Sequence, residues 1–351
     1  MAASRKNSYI SCLTFLATVA VVLWHINDGV YSVANSMSWY LTVVIDAAVH
    51  FSVPVFFMIT GANLIDFRER GDSLRVYARK RIRKTLIPFL FWSIIFIIYY
   101  GRQDLEVFID DGRYLQMILY FLRCILDFRY YTAFWFFINL FGIYLLIPLL
   151  SLIPPDKRKT AFSVIVAFLF VTHYILPFIL YFSGFDAVSK SGSFFILFVL
   201  CGYLIKTYDI PKLLRTVIYV LGIAGFIAFI LGTVRMSLAA GEFIELFRIK
   251  DGLITCLITI AVFTFAKYNL NFNAGGKFMA FVNRFNKYSL SIYILHIFVL
   301  KEILPLMGID MFSANINHAV FYPVSLVLII VICIAFSWII KKIPLLKNTL
   351  P

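Results

Sequence analysis

Two short patterns near the amino terminus hold the side chains best suited to chemistry. His25 stands close to the end of a long apolar run that carries no charge before Asp28. Asp46 and His50 follow in the next apolar run, at the i, i+4 spacing that places two side chains on one face of a helix. A carboxylate beside an imidazole raises its basicity and orients its ring, as a general base requires. The pattern favours proton transfer as the chemistry of these three residues.

Each of these residues also has a simpler explanation. His25 can be an interfacial residue whose ring is wetted at a membrane surface. Asp46 and His50 can be a polar pair that joins helices through hydrogen bonds. Ionisable side chains inside apolar segments are expensive, so a functional role is the default expectation. Both interpretations stay open on these residues alone.

A third pattern is a cluster of cations in the segment RVYARKRIRKTLIP, where five of the six residues 79–84 are Lys or Arg. Part of this charge serves as a topology signal and an anchor to anionic lipid. The excess predicts a site for a phosphorylated ligand, because Arg offers phosphate a bidentate geometry. The candidate ligand-binding residues are Arg79, Arg81, Arg83 and Lys84.

Two later apolar runs supply candidate substrate-binding residues. Trp135 and Asn139 lie one turn apart in FWFFINLFGIY, and Tyr293 and His296 share a helix face at i, i+3 in NKYSLSIYILHIFVL. Trp135 equally fits an ordinary aromatic belt at a membrane surface. Asn139 is expected to need a hydrogen-bond partner, because an amide within a membrane helix is costly when unpaired.

The elements that must position these residues are membrane-spanning helices. Of the 351 residues 62% are hydrophobic and 14% charged, whereas a soluble domain usually carries about a quarter charged residues. We therefore predict an all-α, polytopic membrane bundle of about ten transmembrane helices that forms a single domain over residues 1–351. The predicted spans are 9–29, 40–66, 86–101, 131–153, 160–183, 193–207, 214–235, 251–268, 289–304 and 319–340.

The distribution of charge predicts how this bundle is oriented. With both termini in the cytoplasm, most of the 32 Lys and Arg residues fall on the inner side, as membrane topology requires. The net charge of +14 is explained in this way, without nucleic acid as a partner. The third, sixth and ninth spans look short, which is typical of tilted or broken helices around a cavity. Residues 114–127 are apolar but too short to cross, so they predict an interfacial or re-entrant helix on the outer side.

The depth of the histidines adds one expectation. His25, His173 and His296 fall in the outer halves of their spans, with His50 nearer the middle, so an outward-leaning polar cavity would collect them. The five cysteines are far apart and lie in or beside apolar segments, without a CxxC pair. They are interpreted as small core residues that form neither disulfides nor a metal site.

Taken in order, these segments resemble the acyltransferase family 3 of integral membrane proteins, which acylate bacterial surface sugars. Each segment is weakly specific because it is mostly apolar, but the ordered set covers nearly the whole chain. The matching segments are ATVAVVLWH (17–25), SVPVFFMITGANL (52–64), ARKRIRKTLIPFLFW (78–92), FWFFINLFGIYLLIPLL (134–150), FFILFVLCGYLI (194–205) and YSLSIYILHIFVL (288–300).

The resemblance implies a membrane-bound O-acyltransferase with His25 as the catalytic base or acyl-handling residue. It implies that an acetyl or other short acyl group moves from cytoplasmic acyl-CoA, with acetyl-CoA the expected donor, to a hydroxyl of a cell-surface or lipid-linked polysaccharide. The cluster at 79–84 would hold the phosphates of coenzyme A, and no metal is expected. The family usually has Arg or Lys eleven residues before the histidine, and this chain departs from that pattern with Thr14.

The resemblance also implies the location of the protein and its binding partners. It implies the cytoplasmic (inner) membrane as the location, and membrane lipids, acyl-CoA and the glycan or lipid-linked sugar acceptor as partners, with a homo-oligomer left open. A different class of function fits the same intramembrane residues, namely a transporter or flippase of a lipid-linked sugar that uses His and Asp as a proton relay. A family member that has lost catalysis and acts as a sensor or scaffold is a third hypothesis, favoured by Thr14 alone.

Overall fold

The protein is described by a computed structural model over residues 8–184, 195–250, 252–273, 275–309, 318–344, 346–347 and 349–350, with the backbone alone described for 318 and 319. Within these residues the regular elements are helices. The α-helices are α1 Ser8–Ile26, α2 Met37–Val49, α3 Ser52–Leu64, α4 Leu74–Arg81, α5 Ile87–Tyr100, α6 Arg102–Asp110, α7 Tyr114–Leu126, α8 Trp135–Leu150, α9 Pro155–Leu169, α10 Leu176–Tyr181, α11 Ile196–Thr207, α12 Lys212–Ala240, α13 Leu253–Asn269, α14 Lys277–Asn286, α15 Ser289–Phe298, α16 Leu304–Leu306 and α17 His318–Lys342.

The predicted all-α membrane bundle is confirmed. Across the described residues, nine helical stretches are long and apolar enough to cross a membrane. They are Ser8–Ile26, Met37–Phe67, Leu74–Tyr100, Thr132–Leu150, Pro155–Tyr181, Lys212–Ala240, Leu246–Asn269, Ser289–Leu306 and Val320–Lys342. The predicted span 193–207 corresponds to the shorter apolar helix Ile196–Thr207, so the count of about ten spans is consistent with the structure. The orientation with both termini in the cytoplasm stays a prediction.

Three of the spans contain a wide, π-helical turn, and in each case a proline follows two residues later. These turns are Ile82–Leu86 before Pro88, Phe170–Ile175 before Pro177, and Val299–Ile303 before Pro305. Proline has no N–H and its ring clashes with the carbonyl four residues earlier, and a wide turn relieves this clash without ending the helix. The third span is therefore not short as predicted, because the cationic segment is itself part of the helical stretch Leu74–Tyr100.

The second span is interrupted in its middle, between α2 and α3. Residues 50 and 51 form a turn, and the ladder resumes where the Val55 N–H donates to the Phe51 carbonyl at 3.1 Å. Pro54 cannot donate to the carbonyl of His50, so the break falls where the sequence predicts it. The kink places His50 at the junction of two helical segments instead of within a regular turn.

Helices α3 and α11 cross at backbone contact near the centre of the bundle. A Cβ atom at Gly61 would lie 1.9 Å from the carbonyl oxygen of Val199, and one at Gly202 would lie 2.0 Å from that of Met58. Both glycines are in ordinary helical conformation, so the requirement is for space and not for backbone freedom. The small residues after Pro54 thus permit the close packing that the sequence indicated.

Replacing Gly202 by Ala is expected to destabilise the bundle by about 3 kcal/mol, because the new methyl group meets a backbone atom that cannot turn away. The measurement is the unfolding temperature and folded yield of the full chain in detergent. Gly142→Ala is the matched control, since nothing lies within 4 Å of the added Cβ in helix α8. Equal unfolding temperatures for the two variants would contradict the contact.

The two ends of the bundle hold different helix ends and different charged side chains. At the end where α1 begins, here called the amino end, Arg158 is fully buried and pairs with Asp66 at 3.0 Å and Glu69 at 2.6 Å. Burial alone would raise the pKa of the Glu69 carboxyl, but the hydrogen bond from Arg158 holds that pKa below its usual value. This end also holds the start of α4, whereas the C-terminal residues of α1 lie at the opposite end.

Short helices and buried thiols complete the fold. Helix α7 is amphipathic, with Cys124 buried and with exposed apolar side chains such as Leu115 and Leu122, as expected for the predicted interfacial helix. The hydroxyls of Tyr120 within α7 and of Tyr130 just after it donate to Asp104, the second at 2.5 Å. All five cysteines are buried and unbridged, which confirms their interpretation as core residues.

Candidate active site

His25 lies in the last turn of α1 and faces another histidine. The ring centroids of His25 and His296 are 4.8 Å apart, although 271 positions of sequence separate the two residues. The indole of Trp24 lies against His25 on its other side, with a centroid distance of 4.9 Å. His25 is half-buried, and its ring packs against both of these neighbours.

The protonation of His296 follows from its contacts. Its Nδ1 lies 2.7 Å from the carbonyl oxygen of Tyr293, and a carbonyl only accepts, so Nδ1 carries a hydrogen. In the neutral ring Nε2 is then a free lone pair, and it is buried without a hydrogen bond from any described residue. The Tyr293 hydroxyl in turn donates to the Ala133 carbonyl at 2.6 Å, which fixes the helix face that both residues share.

His50 is the third histidine of the cluster. Its ring centroid is 6.0 Å from that of Trp24 and 5.3 Å from that of Phe229. His50 is buried beside the backbone of Arg248, and neither ring nitrogen makes a well-formed hydrogen bond to the described residues. Trp24 therefore separates His25 from His50, and the kink at Pro54 sets the position of the latter.

Asp46 is paired with a residue that the sequence did not single out. Its Oδ2 accepts a hydrogen bond from Nε of Arg248 at 2.8 Å, and the Asp46 side chain is fully buried. The expected contact between Asp46 and His50 is therefore replaced by an ion pair, because the guanidinium offers a charged partner in a buried place. Asp46 Oδ1 faces Trp24 without a well-formed hydrogen bond to the described residues.

The segment before α13 brings two cations to this cluster. The Arg248 guanidinium also donates to the Tyr31 hydroxyl and lies 5.1 Å from the Trp24 ring. The ammonium of Lys250 lies 4.8 Å from the Trp24 ring and 4.4 Å from the Trp135 ring. The cluster thus places a guanidinium and an ammonium group against the Trp24 ring, and such groups suit a developing negative charge.

Tyr31 lies just outside the first span and connects the cluster to the neighbouring loop. Burial raises the pKa of its phenol, and the Arg248 guanidinium offsets part of that rise. The hydroxyl therefore keeps its proton at physiological pH, and it is free to donate that proton while it accepts from Arg248.

Two predicted residues are not part of the cluster. Asn139 is half-buried in α8, and its amide donates to the Trp135 carbonyl one turn earlier, at 3.1 Å. His173 bonds to the hydroxyl of Thr172 at 2.7 Å in the π-helical turn of the fifth span. The structure thus brings His25, His50 and His296 into one cluster without His173, and an outward-leaning polar cavity around them stays a prediction.

The predicted phosphate-binding residues lie at the other end of the bundle. Arg79, Arg83 and Lys84 are exposed, whereas Arg81 is half-buried with its guanidinium 5.9 Å from the Tyr77 ring and 5.5 Å from the Tyr144 ring. The Nε of Arg81 is buried and has no hydrogen-bond partner among the described residues. A buried, unpaired donor in a cationic segment suits the oxygen of a phosphate.

The two clusters lie toward opposite ends of the bundle. Helix α1 has 19 residues in all, and from Ser8 at the amino end to His25 it rises by roughly 25 Å at about 1.5 Å per residue. Thr14 lies between the two, where its hydroxyl donates to the Ile10 carbonyl at 2.8 Å within the same helix.

Sequence reasoning missed Trp24, Arg248 and Lys250. One signal was present, because FRIKD places two cations directly before a span at the end predicted to lie outside, where topology does not call for them. In the part of the chain that the structure describes, no group of three or more His, Cys, Asp or Glu is arranged to hold a metal ion.

These features define a polytopic membrane protein with a buried cluster of histidines and ion pairs at one end of its bundle. The chain belongs to the acyltransferase family 3, whose model, described as an acyltransferase domain, matches residues 7–340. It is therefore a membrane acyltransferase. Comparisons with curated proteins and with solved structures found no match.

Proposed function

We propose that this protein is an O-acyltransferase of the cytoplasmic membrane that moves an acetyl or other short acyl group from acyl-CoA to a hydroxyl of a cell-surface or lipid-linked polysaccharide. The observation that carries the proposal is the meeting of His25 and His296 beside the buried Asp46–Arg248 pair. A base, a hydrogen-bond acceptor for its ring and nearby cations are the groups that acyl transfer to a hydroxyl requires.

In the direct mechanism His25 acts as the general base. It takes the proton of the sugar hydroxyl while the hydroxyl oxygen attacks the thioester carbonyl, whose π electrons move to the oxygen. The Lys250 ammonium and the Arg248 guanidinium stabilise that oxyanion. The intermediate then collapses with cleavage of the carbon–sulfur bond, and the leaving thiolate takes the proton from the His25 imidazolium. The products are the O-acyl sugar and the thiol of coenzyme A.

The neighbours of His25 have positioning roles in this proposal. Nε2 of His296 has no hydrogen-bond partner among the described residues and lies beside the His25 ring, so in the reaction it would accept a hydrogen bond from the other nitrogen of His25, orient that ring and raise its basicity. Asp46 holds Arg248 in place, and His50 packs against Trp24 behind the reacting group. Trp135 and Tyr293 form the wall beside Lys250 and His296, where the acyl and sugar groups meet.

A two-step variant follows from the position of the two clusters toward opposite ends of the bundle. Here a nitrogen of His25 attacks the thioester itself, and the thiol leaves after taking the displaced proton. The sugar hydroxyl then attacks the acyl-imidazole, and its proton is returned to the His25 ring. This variant allows donor and acceptor to approach His25 from different sides and at different times.

The donor is proposed to bind through its phosphates at the amino end. Arg81→Ala is expected to raise the KM for acyl-CoA about tenfold or more with little change in kcat, because a charge-assisted hydrogen bond to phosphate is lost. Arg79→Ala is the matched control, and its exposed side chain predicts a change of about twofold. Steady-state kinetics in membranes measure both, and equal effects of the two variants would contradict a specific place for Arg81.

The function is tested by a transfer assay in membranes that contain or lack the full chain. Acyl-CoA donors labelled in the acyl group (acetyl, succinyl and longer chains) are supplied on the cytoplasmic side together with the cell's own envelope glycans. Label that enters glycan only when the protein is present supports the proposal and identifies the donor. Movement of a lipid-linked sugar across the membrane without turnover of any donor would instead favour the transporter and overturn the proposal.

A further inference from the structure

A cavity of about 510 Å³ opens beside the histidine cluster, between residues 26–42 and the start of α17. Its volume is within the range of about 300–1,000 Å³ that is usual for ligand sites. Ile26 lines it directly after His25, and Tyr31 lines it while bonded to Arg248. The cavity therefore shares a wall with the site proposed for the reaction.

The lining of the cavity has a consistent chemistry. It combines the Asp28 carboxylate and the hydroxyls of Ser32 and Ser38 with the aromatic rings of Tyr31 and Trp39. No Lys, Arg or His is among the described residues that line it. The cation nearest to Tyr31, Arg248, is paired with Asp46, so the lining carboxylate disfavours phosphate or carboxylate ligands, whereas hydroxyl groups and ring faces suit a neutral sugar.

Some polar groups of the lining are already hydrogen-bonded within the protein, and others are available to a ligand. The Trp39 indole N–H donates to the Val30 carbonyl at 2.9 Å, and the Ser36 hydroxyl caps α2 at the Trp39 N–H, so these two build the floor. Asp28 is exposed and makes no hydrogen bond or ion pair with the described residues. The Tyr31 hydroxyl still has its own proton to donate. Asp28 and Tyr31 are thus available to a ligand, one as an acceptor and the other as a donor.

We propose that this cavity binds the neutral, hydroxyl-rich sugar residue that receives the acyl group. Asp28 accepts hydrogen bonds from sugar hydroxyls, Tyr31 donates one, and the ring of Trp39 closes the floor beneath the sugar. The hydroxyl that is acylated points past Ile26 toward His25. This assignment rests on the proposed acyl transfer, because that reaction gives the bound sugar its role. Binding of the sugar in the cavity requires neither acyl-CoA nor turnover.

The experiment uses the full chain in membranes and a thiol placed in the cavity. Because the native cysteines are all buried, Ser32→Cys introduces an exposed thiol that a membrane-impermeant maleimide labels selectively. Ser183→Cys is the matched control, since Ser183 is exposed at the same end of the bundle but outside the cavity lining. Two probes are compared. One is a set of neutral oligosaccharides from the envelope glycan, and the other is a set of oligosaccharides from the same glycan that are rich in uronic acid.

Neutral oligosaccharide is expected to slow labelling of Ser32→Cys at least threefold and to leave Ser183→Cys unchanged. Asp28→Asn in the Ser32→Cys background is expected to abolish that protection, whereas Glu242→Gln, an exposed carboxylate at the same end, preserves it. Absence of protection, equal protection at both thiols, or stronger protection by uronic acid would each overturn the assignment. Protection with no acyl transfer in any assay would overturn the proposed function and retain the sugar site.

Discussion

The His25→Ala variant is expected to lose transfer activity by a factor of about 10³ or more while its folded yield stays normal. General base catalysis alone contributes roughly 10² to 10⁴, and the two-step variant loses its nucleophile altogether. His25 is half-buried at the end of a helix and makes no hydrogen bond that holds the bundle together among the described residues. The loss therefore reports chemistry and not stability.

His173→Ala is the matched control for that variant, because His173 is also half-buried in a span but bonds to Thr172 away from the cluster. Its transfer rate is expected to stay within about twofold of the wild type. Trapping of labelled acyl group on the protein before acceptor is added distinguishes the covalent variant from the direct one. Normal transfer by His25→Ala would contradict both mechanisms.

Replacing Arg248 by Met is expected to remove activity and to destabilise the protein by about 3–5 kcal/mol, because Asp46 is then a buried carboxylate without a partner. The substitution also removes a cation from the place where the oxyanion is proposed to form. Unfolding temperature in detergent and the transfer rate are measured on the same preparations. Arg235→Met is the control, since Arg235 is exposed near the same end of the bundle.

A second substitution separates the two effects of Arg248→Met. The double variant Asp46→Leu with Arg248→Met has no buried charge left unpaired, so we expect it to recover most of the stability and none of the activity. Recovery of both properties would show that Arg248 serves the fold alone. An Arg248→Met variant with unchanged unfolding temperature would contradict the buried ion pair itself.

The sequence predicted those features of the protein that depend on the residues of a single segment. Ten apolar stretches, the break after His50 and the short amphipathic helix α7 follow from local composition and from proline, and they agree with the structure. His25, Asp46 and His50 stand out for the same reason, because an ionisable residue in an apolar helix is conspicuous by itself. Their catalytic and positioning roles stay proposals.

What the sequence did not predict depends on contacts between distant segments. Asp46 and Arg248 are 202 positions apart, and no period of a helix relates them. The i, i+4 spacing predicted a contact between Asp46 and His50, whereas the structure pairs Asp46 with Arg248 from another segment. The length of the third span was wrong because charged residues were excluded from it, although Lys and Arg at a helix end extend their charges toward water.

The glycine contact between α3 and α11 has a consequence for motion. Helices whose backbones touch at Gly61 and Gly202 cannot slide along each other, since a shift of one residue would drive a side chain into a carbonyl group. The two helices are therefore expected to move as one rigid body, next to the turn that holds His50. Any rearrangement that admits substrates to the histidine cluster therefore leaves the packing of α3 against α11 unchanged.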